Sequence, residues 1–195
     1  MQRRNYTSAS VSARRFWILV CALALAVGLG ACGQESRPPS GENDGVYVDA
    51  GPITYQLQVS RQLNQYAVED RQYLAGLPAA QATLTPSQLW YGVFLWAKNQ
   101  TDQAHATSDR FKIVDTSGKT YYPIPLNAAI NGYAWTSQIL TPSAIEPEPN
   151  TTASFGPTQG GLVLFKLPTS IYSNRPLTLH IIPPSGKPAT ISLDA

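Results

Sequence analysis

Histidine and cysteine are strong transition-metal ligands, and this 195-residue chain has two of each. They are His105, His180, Cys21 and Cys32. A copper site in a β-sandwich needs two histidines, a free cysteine and usually an axial methionine. Met1 is the only methionine, and both cysteines lie in or directly after an N-terminal apolar run. We therefore predict no metal and no cofactor, with His105 exposed in a polar loop and His180 on one face of a strand.

Acidic and nucleophilic side chains form no catalytic pattern either. The chain has no Gly-x-Ser-x-Gly turn to present a serine nucleophile. Glycoside hydrolysis needs two carboxyl groups that face one cleft, and the candidate pairs are Glu69 with Asp70 and Glu146 with Glu148. We interpret the first pair as part of a solvated helical turn and the second as an exposed loop. The acids lack EF-hand spacing, which leaves open only a weaker calcium site in the loops.

The most informative residues are aromatic. Residues 89–97 read LWYGVFLWA, and alternate positions form two apolar faces. One face carries Leu89, Tyr91, Val93, Leu95 and Ala97, and the other carries Trp90, Gly92, Phe94 and Trp96. A strand in a sandwich turns one face to the core and the other outward. Something must therefore cover the second face of this strand.

Two hypotheses account for that second face. Residues 67–77 supply a tyrosine and two leucines that could pack over it, which would make the face part of the core. Alternatively, Trp90, Phe94 and Trp96 form an exposed partner-binding patch. Exposed apolar patches mark interaction sites, and tryptophan is enriched at binding hot spots.

Short alternating segments predict that the rest of the chain is all-β. Strands are expected at residues 46–48, 53–59, 89–97, 110–115, 120–122, 162–167, 177–182 and 189–193. Gly118 is expected in the left-handed position of a hairpin turn between two of them. Turn signals every 8–12 residues or so are typical of a β-sandwich. The helical pattern is limited to residues 68–77, directly before Pro78.

The order of these segments resembles a known family. WYGVFLWAKN at 90–99, FKIVDTSG at 111–118, GLVLFKLP at 161–168 and PLTLH at 176–180 are the segments that carry the resemblance. They resemble the immunoglobulin-like (telokin-like) domain of bacterial cell-surface lipoproteins, a family of unknown function. The resemblance implies an immunoglobulin-like antiparallel β-sandwich over residues 46–195, with no catalytic residues to carry over. Against simple members, residues 61–87 resemble an insertion and residues 123–157 an extended loop.

The N-terminus predicts export. Four arginines and no acidic residue precede an uncharged, mostly apolar run at residues 16–31. This is the pattern of a secretory signal peptide. The run has 16 residues, which is short for a bilayer core of about 30 Å. A permanent transmembrane helix is therefore the less favoured alternative.

The end of this run, Leu29-Gly30-Ala31-Cys32, resembles a bacterial lipobox. In precursors with this motif, the signal is cut before the cysteine and lipid is attached to its thiol. The resemblance implies that residues 1–31 are a lipoprotein signal peptide and that Cys32 is lipidated. Two or more acyl chains anchor a protein stably, so we expect attachment to the cell membrane on its extracytoplasmic face. An ordinary signal peptide is the alternative.

The remaining chain divides into a linker and one domain. Residues 32–45 are expected to be a flexible tether, because GQESRPPSGENDG after Cys32 has no apolar periodicity. Residues 46–195 are expected to form the domain. Removal of residues 1–31 leaves 10 basic and 12 acidic residues, a formal charge of −2, which does not support nucleic-acid binding. Cys32 would be the only cysteine left, so no disulfide is expected.

The sequence therefore predicts an exported, lipid-anchored β-sandwich that binds a protein or an envelope component and is not an enzyme. The alternatives are a cell-envelope enzyme acting on cell-wall polymers and a purely structural or immunity lipoprotein. An enzyme would need converging acids or a Ser–His pair in a cleft. A binding module would need an apolar and aromatic surface instead.

Overall fold

The chain folds mostly as short β-strands, as its alternating apolar segments predict. The computed structural model describes Arg37, Ser40–Glu42 and residues 45–193, and the expected signal peptide and Cys32 lie outside these residues. The strands are β1 (Ser40–Glu42), β2 (Tyr47–Ala50), β3 (Ile53–Leu63), β4 (Gln88–Asn99), β5 (His105–Ala106), β6 (Arg110–Val114), β7 (Thr120–Tyr121), β8 (Pro123–Ile124), β9 (Ile139–Leu140), β10 (Ile145–Glu146), β11 (Gly161–Pro168), β12 (Thr178–Ile182) and β13 (Ala189–Ser192).

Helical structure in the described residues consists of short turns of three to five residues. These are α1 (Val68–Arg71), α2 (Thr152–Phe155) and 3₁₀ turns at Gln72–Leu74, Ala79–Gln81 and Thr169–Ser173. Within the described part of the chain, none of these helices has the length and apolar character needed to cross a bilayer.

Two main sheets form the predicted antiparallel β-sandwich. One sheet has the order β1-β13-β12-β6-β7, and the other has the order β2-β3-β4-β11-β8, with β10 also paired to β4. A separate pair, β5-β9, lies outside both sheets. Neighbouring strands are antiparallel except β1 and β13, which are parallel. The all-β sandwich prediction is therefore confirmed.

The core lies between the inner faces of the two sheets. Along β4 the residues predicted to face the core, Leu89 to Ala97 in steps of two, are all buried. They pack with inner residues of the other strands, which include Tyr55, Leu57, Phe111, Ile113, Phe165, Leu179 and Ile191. Each such aliphatic or aromatic side chain contributes about 1.5–3 kcal/mol through burial.

A bulge in β3 allows this strand to serve two apolar clusters. The pairing with β4 shifts between Leu57 and Val59, which lie opposite Leu95 and Phe94 respectively. One extra residue in a strand reverses the alternation of side chains that follow it. Leu57 therefore joins the core between the sheets, whereas Val59 and Leu63 turn to the outer face of β4.

The predicted hairpin between β6 and β7 is confirmed. Gly118 has φ of +83°, a left-handed conformation that glycine adopts without strain. Asp115 accepts hydrogen bonds from the backbone N–H groups of Ser117 (2.9 Å) and Lys119 (3.0 Å) and from the Ser117 hydroxyl (2.6 Å). The Tyr121 hydroxyl also donates to Asp115, at 2.8 Å. The turn thus closes around one buried carboxylate.

Part of the predicted flexible tether is docked on the domain instead. Within residues 32–45, Ser40–Glu42 form β1, which pairs with Thr190, Ile191 and Ser192 of β13. Earlier still, the Arg37 backbone N–H donates to Asp49 Oδ2 at 2.7 Å. Polar composition predicts a solvated segment, but it does not exclude backbone pairing at the edge of a sheet. The folded unit therefore begins near Arg37, not at residue 46.

The predicted long loop at 123–157 also contains short elements. It holds β8, β9, β10 and α2, each of two to four residues. β10 pairs with β4 beyond the point where β11 begins, with Glu146 opposite Ala97. The loop therefore contributes to the sandwich, and this pairing brings a carboxyl group to its inner side.

Candidate functional site

The predicted partner-binding patch on β4 is buried. Trp90 and Phe94 have no exposed surface and Trp96 is half-buried, so the patch hypothesis is wrong for Trp90 and Phe94. The alternative, coverage by residues 67–77, is confirmed because the Tyr73 ring packs edge-to-face on Phe94 with 5.1 Å between ring centroids. Leu74 and Leu77 pack against the same cluster.

An ion pair holds this cover in place. Arg61 Nη2 lies 2.6 Å from Asp70 Oδ1, and the Asn64 backbone N–H donates to Asp70 Oδ2 at 2.8 Å. Burial alone would raise the pKa of Asp70, but the hydrogen bonds from Arg61 and Asn64 outweigh it and lower the pKa. The prediction of a solvated helical turn is therefore wrong for Asp70, which is a structural carboxylate.

The two histidines lie on different short strands, β12 and β5. His180 is half-buried on β12, and its pKa is lowered by burial and by the positive charge of Lys112. His105, predicted to be exposed, is half-buried on β5 because this part of the polar loop pairs with β9. Among the described residues, no three His, Cys, Asp or Glu side chains group closely enough to hold a metal ion.

A tryptophan outside the predicted patch lines two cavities of the described domain. The Trp135 indole Nε1 donates to Ser108 O at 2.8 Å, and the Trp135 backbone N–H donates to Leu162 O at 2.9 Å. Its ring packs edge-to-face on Phe111 with centroids 5.6 Å apart. A Cβ on Gly161 would lie 2.7 Å from this ring, so the close approach requires glycine there.

The first cavity is an open cleft, here called the Trp135 cleft, of about 310 Å³. It is lined by Asp109, Phe111, Pro123, Ile124, Pro125, Leu126, Trp135, Ser137, Leu162, Val163 and Leu164. Asp109 is the only charged residue in this lining. Two large apolar side chains, Tyr122 and Ile139, lie on the segments that form the cleft and are 69% and 72% exposed. The Trp135 cleft therefore has a mainly apolar lining, and exposed apolar side chains lie within two residues of that lining in the sequence.

The second cavity, here called the Glu146 pocket, has a volume of about 190 Å³. It is lined by Gly132, Ala134, Trp135, Thr136, Gln138, Glu146, Pro147, Glu148, Thr151, Ala153 and Gly161. Glu146 lies opposite Ala97 of β4, and directly opposed residues turn their side chains to the same side of the sheet. Because Ala97 faces the core, Glu146 is directed inward, and the prediction of an exposed loop is wrong for it.

Burial leaves Glu146 incompletely satisfied. The Thr107 hydroxyl and the Thr136 backbone N–H hydrogen-bond to its carboxyl group, but buried Oε2 has no hydrogen-bond partner among the described residues. Burial raises the pKa of Glu146 to about 7 and outweighs the two hydrogen bonds, which lower it. The charge of nearby Glu148 makes a smaller contribution that also raises the pKa. Such a carboxyl group changes charge near neutral pH.

The sequence analysis did not identify Trp135 as a site residue, and it placed Glu146 in an exposed loop. Trp135 stands in an irregular stretch without alternation, and EPEP at 146–149 has the composition of a solvated loop. Their positions depend on pairing with β11 and β4, which lie far away in the sequence. The only local signal is the aromatic pair Tyr133 and Trp135 within an otherwise irregular segment.

Comparison with known families and curated proteins finds no match. Among solved structures, the yjhA protein from Bacillus subtilis is similar at 11% identity and TM-score 0.48, over 79% of this chain and 99% of that chain. A β-sandwich protein from Clostridium difficile is similar at 11% identity and TM-score 0.42, over 83% and 97%. A candidate lipoprotein, ycdA, from Bacillus subtilis is similar at 10% identity and TM-score 0.47, over 78% of this chain and 39% of that chain.

Proposed function

We propose that this chain is an exported lipoprotein of the immunoglobulin-like surface family, whose sandwich binds a protein partner through the Trp135 cleft and performs no catalysis. The observation that carries the proposal is the apolar cleft with exposed Tyr122 and Ile139 on its forming segments. Pockets that accept an apolar anchor, surrounded by further apolar contacts, are typical of protein-binding hot spots.

The chemistry of the lining favours an apolar side chain of a partner over a charged ligand. Phe111, Leu126 and Trp135 offer aromatic and aliphatic surface, whereas Asp109 is the only charged group. Tyr122 and Ile139 have no function in the core because they are largely exposed. Both would lose their contact with water if a partner covered them.

Site-specific photocrosslinking in native membranes tests this proposal. A photoreactive benzophenone side chain in place of Tyr122 should crosslink to one discrete protein species, detected as a single band of higher mass. The matched control places the same group at Tyr66, which is 79% exposed on the segment after β3. Ile139→Asp should weaken the Tyr122 crosslink several-fold without a change in stability, since its side chain is exposed. Equal crosslinking at Tyr66, or none at Tyr122, would contradict the proposal.

The anchor is proposed to be lipid on Cys32. Only residues 33–36 separate Cys32 from docked Arg37. Five residue steps span at most about 18 Å, so the end of the domain that holds Arg37 and Asp49 would lie close to the membrane. Cys32→Ser should move the protein out of the membrane fraction, whereas Cys21→Ser should not. Retention of Cys32→Ser through a carbonate wash would exclude the lipid anchor.

A further inference from the structure

Glu146 differs from the other buried acids in how its carboxyl group is satisfied. Asp70 forms an ion pair with Arg61, and Asp115 accepts four hydrogen bonds from its own turn. Glu146 Oε2 is buried without a hydrogen-bond partner among the described residues. Leaving such an atom unpaired costs free energy. Unsatisfied buried groups are rare in native proteins, and a ligand that supplies the missing donor is one explanation for them.

The residues around Glu146 make the pocket acidic. Glu148 lines the same cavity and its charge acts on Glu146. The Tyr55 hydroxyl also interacts with Glu146, but burial raises its pKa, so it remains neutral at physiological pH. No lysine or arginine lines the pocket. A positively charged ligand would therefore meet two carboxyl groups without competition.

We propose that the Glu146 pocket binds the ammonium group of a primary alkylamine, such as a lysine side chain, through Glu146 Oε2. One free oxygen suits an ammonium group, which donates from a single point, whereas a guanidinium group prefers two carboxylate oxygens. Trp135 and Ala153 supply apolar surface for the alkyl chain. The proposal does not require the partner assigned to the Trp135 cleft.

The size of the pocket agrees with a single chemical group. Its volume of about 190 Å³ is below the range of about 300–1,000 Å³ that is typical of sites for drug-sized ligands. Oε2 is itself covered, so a donor reaches it only when side chains at the pocket move. Thr136 and Glu148 line the pocket and are exposed. Movement of these two side chains would give the donor access to Oε2.

The test uses the full-length protein in detergent micelles and n-butylammonium as the probe. Its affinity is measured by ligand-observed NMR at pH 5.5 and pH 8.5, with n-butanol as the neutral control. Alkylammonium remains protonated at both pH values, whereas Glu146 changes from mostly neutral to mostly ionised between them. We expect binding to be about tenfold or more tighter at pH 8.5, with no comparable gain for n-butanol.

Variants assign the effect to the pocket. Glu146→Gln should abolish the pH-dependent part of butylammonium binding, and Glu148→Gln should weaken binding by a smaller factor. Glu69→Gln, which neutralises an exposed acid on α1, should leave it unchanged. Equal affinity for n-butanol, pH-independent affinity, or undiminished binding by Glu146→Gln would each overturn the proposal. If Glu146→Gln does not fold, the pH dependence and the n-butanol comparison in the unmodified protein still decide.

Discussion

Asp115 in the β6–β7 hairpin and Glu146 on β10 are both buried carboxyl groups, with 5% and 4% of their surface exposed. Their pKa values nevertheless shift in opposite directions. The Ser117 hydroxyl, the Tyr121 hydroxyl and backbone N–H groups of the turn lower the pKa of Asp115, whereas burial raises that of Glu146 to about 7. Burial alone therefore does not decide the charge of an acid in this protein. The charge depends on how deeply the carboxyl group is desolvated and on how many donors face it.

The two regions consequently have different roles. Asp115 organises its own turn, because each donor lies within six residues of it. Glu146 accepts fewer hydrogen bonds than Asp115 does, and its Oε2 has no partner among the described residues. A native protein that retains such a group gives up some stability at that position, as binding sites commonly do. The comparison predicts that the two carboxyl groups respond in opposite ways to substitution and to pH.

The largest expected effect is a gain of stability for Glu146→Gln at pH 8. The pKa of Glu146 rises from 4.5 to about 7 on folding, so its contribution to stability is fully present below pH 4.5 and is lost as the pH rises through 7. At about 1.4 kcal/mol per pKa unit, the loss amounts to about 3 kcal/mol. Glu146→Gln avoids that loss and should be up to about 3 kcal/mol more stable than the unmodified protein at pH 8.

Urea denaturation at pH 4.5 and pH 8 measures this difference. The advantage of Glu146→Gln should nearly disappear at pH 4.5, where Glu146 is protonated in the folded state and about half protonated in the unfolded state. Glu69→Gln is the control, because Glu69 is exposed. A destabilised Glu146→Gln at both pH values would mean that Glu146 is a structural group like Asp115, and the comparison would fail.

The same contrast explains which features the sequence could predict. The Asp115 turn was predictable because DTSG places the acid, its hydroxyl donor and the left-handed glycine within four consecutive residues. The longer strands were predictable for the same reason, since alternation is visible locally. The burial of Trp90 and Phe94 was one of two hypotheses, because local pattern shows that a face is apolar but not what covers it.

The features that depend on distant pairing were not predictable. Glu146 is buried because β10 pairs with β4, almost 50 residues earlier in the chain, and no property of EPEP encodes that register. The β3 bulge, which turns Val59 and Leu63 to the outer face, likewise has no local signature. β1 was assigned to the tether because its residues, Ser40–Glu42, are polar. Its pairing with β13 uses backbone N–H and C=O groups, which nearly every residue has, so amino-acid composition does not predict it.

A smaller loss of stability is expected for Asp115→Ala. The substitution leaves the Ser117 and Lys119 N–H groups and the buried Tyr121 hydroxyl without their acceptor. Because the pKa of Asp115 is lowered in the folded state, its contribution is present above the unfolded value of 3.8 and is lost as the pH falls through the lower folded value. The melting temperature of Asp115→Ala should therefore be depressed at pH 7 and approach that of the unmodified protein in strong acid.

This profile is the reverse of the one expected for Glu146. Asp102→Ala is the matched control, because Asp102 is exposed in a loop and should show little change at either pH. An Asp115→Ala variant with an undiminished melting temperature at pH 7 would show that water replaces the carboxylate at no cost. The turn would then not depend on its buried acid.

The smallest expected effect, about 1 kcal/mol of lost stability, is that of Gly118→Ala. No atom lies within 4 Å of a Cβ added at Gly118, so the cost comes from the backbone conformation, φ +83°, and not from a clash. Gly45 has the same φ and equally open surroundings, which makes Gly45→Ala a control for the backbone cost alone. If Asp115 depends on the shape of its turn, Gly118→Ala should lower the free energy of unfolding more than Gly45→Ala does. In urea denaturation, the loss for the double variant Gly118→Ala/Asp115→Ala should then be smaller than the sum of the two single losses. Full additivity would show that the turn and its carboxylate stabilise the hairpin independently, and Asp115 would then be no better integrated into its surroundings than Glu146.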